Sequence, residues 1–192
     1  DQKFDLITLE PPPPAAAGVV NLYSKEFYEI ASKRLNKNGM VAQWWPIATQ
    51  NSEDSKSLVK SFLEVFPHVT LWTTELHEML LVGSMDPIVL NVEKVETLFE
   101  DSVLRESLEE VGILNAKEFF ATYVTDKKGL SEYVGLAEPV TDNRPSIEYS
   151  GWVRKGEFTR VLTELAAIQT PPNFENADTE TVREIAIHRE KL

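Results

Sequence analysis

The sequence predicts an α/β fold, on three observations. The chain opens on a near-continuous apolar run, Phe4 to Leu9. Strand-like and helix-like apolar spacings then alternate up to about Asp86. Beyond that point the spacing is mostly helical. This order describes the second half of a doubly wound, Rossmann-like sheet over residues 1–86, followed by a mostly helical extension over 87–192 packing on it.

Taken in order, Phe4–Leu9 reads as a parallel strand buried on both faces, because its apolar content barely alternates. It ends at Glu10, where Pro11 to Pro14 cannot extend a ladder. Ser24 is a good N-cap for a helix carrying Phe27, Ile30, Ala31 and Leu35 at helical spacing. Asn36-Lys37-Asn38-Gly39 supplies its stop. Met40 to Trp45 is the next strand, closed by Pro46. Asn51 or Ser52 caps a second helix with Leu58, Val59, Phe62, Leu63 and Phe66 inside, ended by Pro67. Val69–Thr73 and Met79–Val82 form a close antiparallel pair at the sheet edge. Helices are then expected over Val92–Phe99, Val103–Val111, Ala116–Thr122, Phe158–Ile168 and Thr179–His188, with a turn-rich stretch at Glu138–Pro145.

Composition narrows the function. The net charge of −12, from 31 acidic and 19 basic residues, disfavours nucleic acid and suits cationic ligands. With no cysteine, thiolate catalysis, disulfides and cysteine-ligated metals are excluded. No apolar run approaches the roughly 20 residues a bilayer span requires. A metal site is not expected: His68, His77 and His188 are scattered, without ligand spacing. The eight glycines never form a phosphate-cradling loop. The chain begins at Asp1 and enters a core-like strand within three residues, so its start reads as a cut.

In an open α/β sheet, ligands bind outside the carboxyl ends of the strands. The first strand delivers Glu10 there, a carboxylate able to take a proton from an amine. The second delivers Gln43, Trp44 and Trp45. Successive strand residues face opposite ways, so at most one tryptophan faces the cleft, and core packing is the simpler role for either. Asp142 and Arg144 read as a local ion pair in a turn, with Arg144 tying the loop to another carboxylate as the alternative.

Phe4-Asp5-Leu6-Ile7-Thr8-Leu9-Glu10-Pro11-Pro12, then Leu22-Tyr23-Ser24-Lys25-Glu26-Phe27-Tyr28, Leu35 to Gly39 and Ala42-Gln43 together resemble the spermidine synthase pattern. The Glu-Pro-Pro-Pro-Pro variant and Thr141-Asp142-Asn143-Arg144-Pro145 look like bacterial spermidine-synthase-like proteins. The resemblance covers residues 3–84 and, more weakly, 138–149. It implies a class I methyltransferase-like fold and aminopropyl transfer from decarboxylated S-adenosylmethionine to a small-molecule amine.

By position the resemblance makes Glu10 the catalytic acid–base residue. It assigns Tyr23, Gln43 and Trp45 to the substrate, and Pro11 and Pro12 to the cofactor. Departures accompany it. The family's second acid falls on Pro13, and the acid beyond the strand glutamine falls on Trp45. Burying a doubly charged diamine without carboxylate partners is costly. A catalytically inactive ligand-sensing or interaction module, and an S-adenosylmethionine-dependent methyltransferase, are therefore alternatives. The cofactor, decarboxylated S-adenosylmethionine or S-adenosylmethionine, would require an upstream half, so this stretch alone is expected to bind none. Some family members carry a membrane-spanning region upstream, which frames the expectation of a cytoplasmic domain with or without tethering. An incomplete sheet leaves an edge exposed, so either a homo-oligomer or a longer chain is expected.

Overall fold

The computed structural model describes residues 2–75 and 78–189. The chain folds into two compact units, Asp1–Ile88 with Val124–Thr170, and Val89–Tyr123 with Pro171–Leu192. The first contains a five-stranded mixed sheet and is the α/β part predicted.

In the first unit, β1 (Phe4–Leu9) leads through a proline-rich loop and a 3₁₀ turn (Val19–Tyr23) into α1 (Lys25–Ser32). Ser24 caps α1 as expected, its Oγ accepting from Phe27 N at 3.2 Å. The chain returns as β2 (Leu35–Pro46), parallel to β1. β2 is longer than the sequence suggests. The expected stop at Asn36–Gly39 lies inside it, marked by Asn38 at φ 59° and a register irregularity between Phe4 and Leu6. Gly39 is required there, since a Cβ would stand 2.9 Å from the Asn36 carbonyl oxygen.

Next come α2 (Ser52–Val65), β3 (His68–Glu75) and β4 (Glu78–Ser84). β4 pairs antiparallel with both β2 and β3, so the sheet order is β1-β2-β4-β3-β6, where β6 is Tyr123–Asp126. The last hairpin is thus present but is not the edge. β4 inserts between β2 and β3, and β6 extends the sheet beyond β3. Helices α6 (Lys127–Val134) and α7 (Glu157–Ala167) complete this unit.

These units differ from the expected division at residues 86 and 87, since 124–170 belongs with the sheet unit rather than the helical part. α6 was not expected from the sequence. Asp126 starts it by accepting from Lys128 N at 2.9 Å and Gly129 N at 3.1 Å. Leu130, Tyr133 and Val134 then anchor it in the core.

The core lies on the face of the sheet covered by these helices. Along β4, Met79, Leu81 and Gly83 are buried while Glu78, Leu80 and Val82 are half-buried. Tyr28, Phe62 and Phe66 form an aromatic cluster with Tyr28 and Phe62 centroids 4.9 Å apart, edge to face. The first strand departs from expectation. It is an edge strand with β2 as its partner in the sheet order, and Phe4 and Leu6 are 39 % and 53 % exposed. Apolar continuity marks a strand but does not say what covers its faces.

The second unit holds a short parallel pair, β5 (Leu90–Asn91) and β7 (Phe174–Glu175). Around it are α3 (Val92–Leu98), α4 (Ser102–Glu109), α5 (Ala116–Ala121) and α8 (Thr179–Arg189). Phe120 and Phe174 stack edge to face at 4.9 Å, and Lys117 pairs with Glu184. These helices agree with the spacing read from the sequence to within a residue or two. Among the described residues, no helix is long and apolar enough to cross a membrane.

Candidate functional site

Three segments of the first unit converge where β1 and β2 end. They are the proline-rich loop after β1, the turn from β2 into α2, and the stretch from Ile147 to Val153. Between them lies an open cleft of about 310 Å³. Ala15 contributes from the first, Gln50 and Asp54 from the second, and Ser150 and Trp152 from the third. The loop after β1 is tied to the third segment, with Gly18 N donating to Glu148 Oε2 at 3.4 Å.

The polar groups of the cleft are mostly held by one another. Asp54 Oδ1 accepts from Ser150 Oγ at 2.6 Å, and Asn51 Nδ2 donates to Asp54 Oδ2 at 3.5 Å. Gln50 is buried, donating to Pro46 O at 3.4 Å. The Trp152 indole is 96 % exposed. A fixed carboxylate and a free aromatic face at one cleft are a pairing that suits a cation.

Behind the cleft, the N-terminus of α2 is closed by side chains from the chain's own later part. The N-cap residue Asn51 does not cap with its side chain. Its Oδ1 instead accepts from Arg154 N at 3.0 Å. The buried Glu157 takes the capping role, accepting from Ser52 N at 2.6 Å. Arg154 bridges Glu157 and Glu53, and its hydrogen bond holds the Glu53 carboxyl below the usual range. This end of α2 is thereby occupied and presents no open anion site.

The residues singled out from the sequence fall into two groups. Glu10 is exposed at the end of β1 and does not line the cleft. Pro12 is exposed and Pro11 buried; their backbone supplies a rigid wall without an N–H donor. The Pro12 carbonyl already accepts from Tyr23 Oη at 3.3 Å.

Tyr23, Gln43 and Trp45 are all fully buried. Burial pushes the Tyr23 phenol well above its ordinary range. Gln43 accepts from Tyr28 Oη at 3.3 Å and donates to Trp44 O at 2.9 Å. Trp45 packs 6.0 Å from the Tyr133 ring, and its Nε1 has no hydrogen-bond partner. Of the two tryptophans, Trp44 is the one partly exposed. Asp142 takes up different partners from those expected of a turn ion pair, bonding Ser24 and Glu26. His77 lies outside the described residues.

Sequence reasoning looked to the strand ends and so passed over Asp54 and Trp152. Asp54 sits in the first turn of α2, where an acid is ordinary. Trp152, beside Gly151 in a polar stretch, was the available signal.

No protein-family profile matches the chain, and no curated protein matches it. Among solved structures, the chain is similar to a probable spermidine synthase from Corynebacterium glutamicum. The identity is 17 % and the TM-score 0.45, over 72 % of this chain and 47 % of that one. The chain thus spans about half the length of that neighbour.

Proposed function

We propose that the first unit is part of a spermidine-synthase-like transferase domain acting on a small-molecule amine. The observation that carries the reading is the Asp54–Trp152 cleft at the carboxyl ends of the two parallel strands. An ammonium group placed there meets a carboxylate that Ser150 holds in position, with an indole face beside it. The net charge of −12 draws cations toward the surface in general.

In this reading Glu10 takes the proton that an attacking amine must lose before it becomes nucleophilic. It is exposed at the end of β1, the strand end on which ligands of an open α/β sheet bind. The loop after β1 offers a nucleoside co-substrate prolines without N–H donors, and calorimetry of the chain with decarboxylated S-adenosylmethionine is expected to show no saturable heat. Micromolar binding would overturn that part.

The test of the site is calorimetric titration with 1,4-diaminobutane. Saturable binding weakened about tenfold by Asp54→Asn is the expected result, in line with one charged contact of about 1.4 kcal/mol. No binding to the wild-type chain, or equal binding to the variant, removes the cleft as the amine site. In a form that also holds the co-substrate, Glu10→Gln is expected to slow transfer by about 10²-fold.

A second reading is a catalytically silent ligand-sensing module. The burial of Tyr23, Gln43 and Trp45 favours it, since none of the three reaches an open surface. Amine binding without any transfer in the co-substrate-competent form would select it.

A further inference from the structure

The second unit carries an apolar ridge that its own core does not use. On α4 and the turn after it, Val103, Leu104, Leu108 and Val111 recur at helical spacing along one side. α4 has no buried residue at all. Val103 is 73 % and Val111 71 % exposed, and Leu98 and Leu114 extend the exposed apolar surface at either end. Isolated exposed apolar residues are ordinary, whereas a contiguous row on an amphipathic helix marks an interaction surface.

Charge says what fits it. On the helical spacing Glu106 and Glu110 border the Val103 side of the ridge and Glu100 and Asp101 stand just before it, while Arg105 pairs with Glu109 at 3.6 Å away from it. A second copy would bring the same acids against these, and like charges across an interface are unfavourable. Anionic lipid headgroups would be repelled in the same way. We infer that this face of α4 docks a cationic amphipathic helix of a partner protein. Its apolar side covers Val103, Leu104 and Val111, and its Lys or Arg residues meet the acidic flank.

The experiment is fluorescence anisotropy with a labelled 18-residue peptide of Leu and Lys at helical spacing, titrated with the full chain. Saturable binding that weakens as salt rises is expected. The Val103→Asp/Val111→Asp variant is expected to lose at least tenfold in affinity although it adds two negative charges. That direction separates docking on the ridge from general attraction to an acidic chain, which would strengthen. Leu136→Asp adds a charge at a fully exposed position of the other unit and is expected to leave affinity unchanged. Circular dichroism checks that helicity is kept in each variant. Unchanged or tighter binding by the double variant overturns the proposal. So does binding of the matching Leu/Glu peptide, or a dimer in sedimentation that the double variant abolishes, which would assign the ridge to a second copy.

Discussion

Ser24 Oγ stands 2.7 Å from Asp142 Oδ1, joining residues 118 positions apart. Ser24 is buried and also caps α1, so one hydroxyl organises a helix start and anchors the Thr141–Pro145 turn. Asp142 N completes the junction by donating to Glu26 Oε2 at 3.0 Å.

Asp142→Ala should therefore cost about 1 kcal/mol, the net worth of one such hydrogen bond, because Ser24 retains Asn21 O at 2.9 Å as an acceptor. Ser24→Ala removes the cap as well and should cost about 1–2 kcal/mol. Urea unfolding of both variants measures the difference. Equal losses would mean that the cap contributes nothing beyond the Asp142 contact.

Glu157 carries more. It is buried, supplies the capping acceptor that Asn51 does not, and holds Arg154 at 3.0 Å. Glu157→Ala leaves Ser52 N without that acceptor and should destabilise the first unit by about 2 kcal/mol. Hydrogen exchange should show the first turn of α2 opening before its last turn. Lys127 Nζ still donates to the Leu63 and Phe66 carbonyls there, at 2.8 and 2.6 Å. Uniform loss of protection along α2 would contradict this account.

How much of this was legible in the sequence depended on whether a feature is local. Strand β2 and helices α1, α2, α7 and α8 follow from apolar spacing and from punctuation by Ser24, Pro46 and Pro67. The insertion of β4 between β2 and β3 does not, because spacing between strands says nothing about which neighbour each one pairs with. The exposure of Phe4 and Leu6 is of the same kind, set by what stands beside a strand. Helix α6 was hidden by Lys127-Lys128-Gly129, although Asp126 and the 130/133/134 spacing were a readable signal. The cleft was least legible: Asp54 and Trp152 are far apart in the chain and line one cleft only in the folded unit.

Gly83 tests the packing of the sheet against α2. A Cβ on it would lie 2.6 Å from Phe62 Cε1 and 2.7 Å from Phe66 Cγ. Neither ring is free to withdraw, since both are fully buried in the aromatic cluster with Tyr28. Gly83→Ala should cost about 1–3 kcal/mol by overpacking. A compensating Phe62→Leu in the same chain, which removes Cε1 and Cζ, should recover part of it, which thermal unfolding of the single and double variants measures. Additive losses would show that the Phe62 ring is not the obstacle.

Two acids that meet the first turn of α2, Glu164 of α7 and Glu53, contribute to the pH response in one direction. Burial alone would raise the Glu164 carboxyl, but hydrogen bonds from Ser52, Lys56 and Arg160 outweigh it and hold it below the ordinary 4.5. Glu53 is lowered by its hydrogen bond from Arg154. A carboxyl lowered in the folded chain binds fewer protons there than in the unfolded one, so stability rises with pH through that interval. The contribution is complete above about 4.5 and disappears as the pH falls through the lower folded-state values. Both side chains are partly exposed, so solvent screening keeps the effect small. In urea titrations the wild-type chain should lose stability below about pH 4.5 more steeply than Glu53→Gln/Glu164→Gln, with the two curves converging at the acid end. Parallel curves down to pH 3 would mean that these carboxylates do not couple folding to protonation.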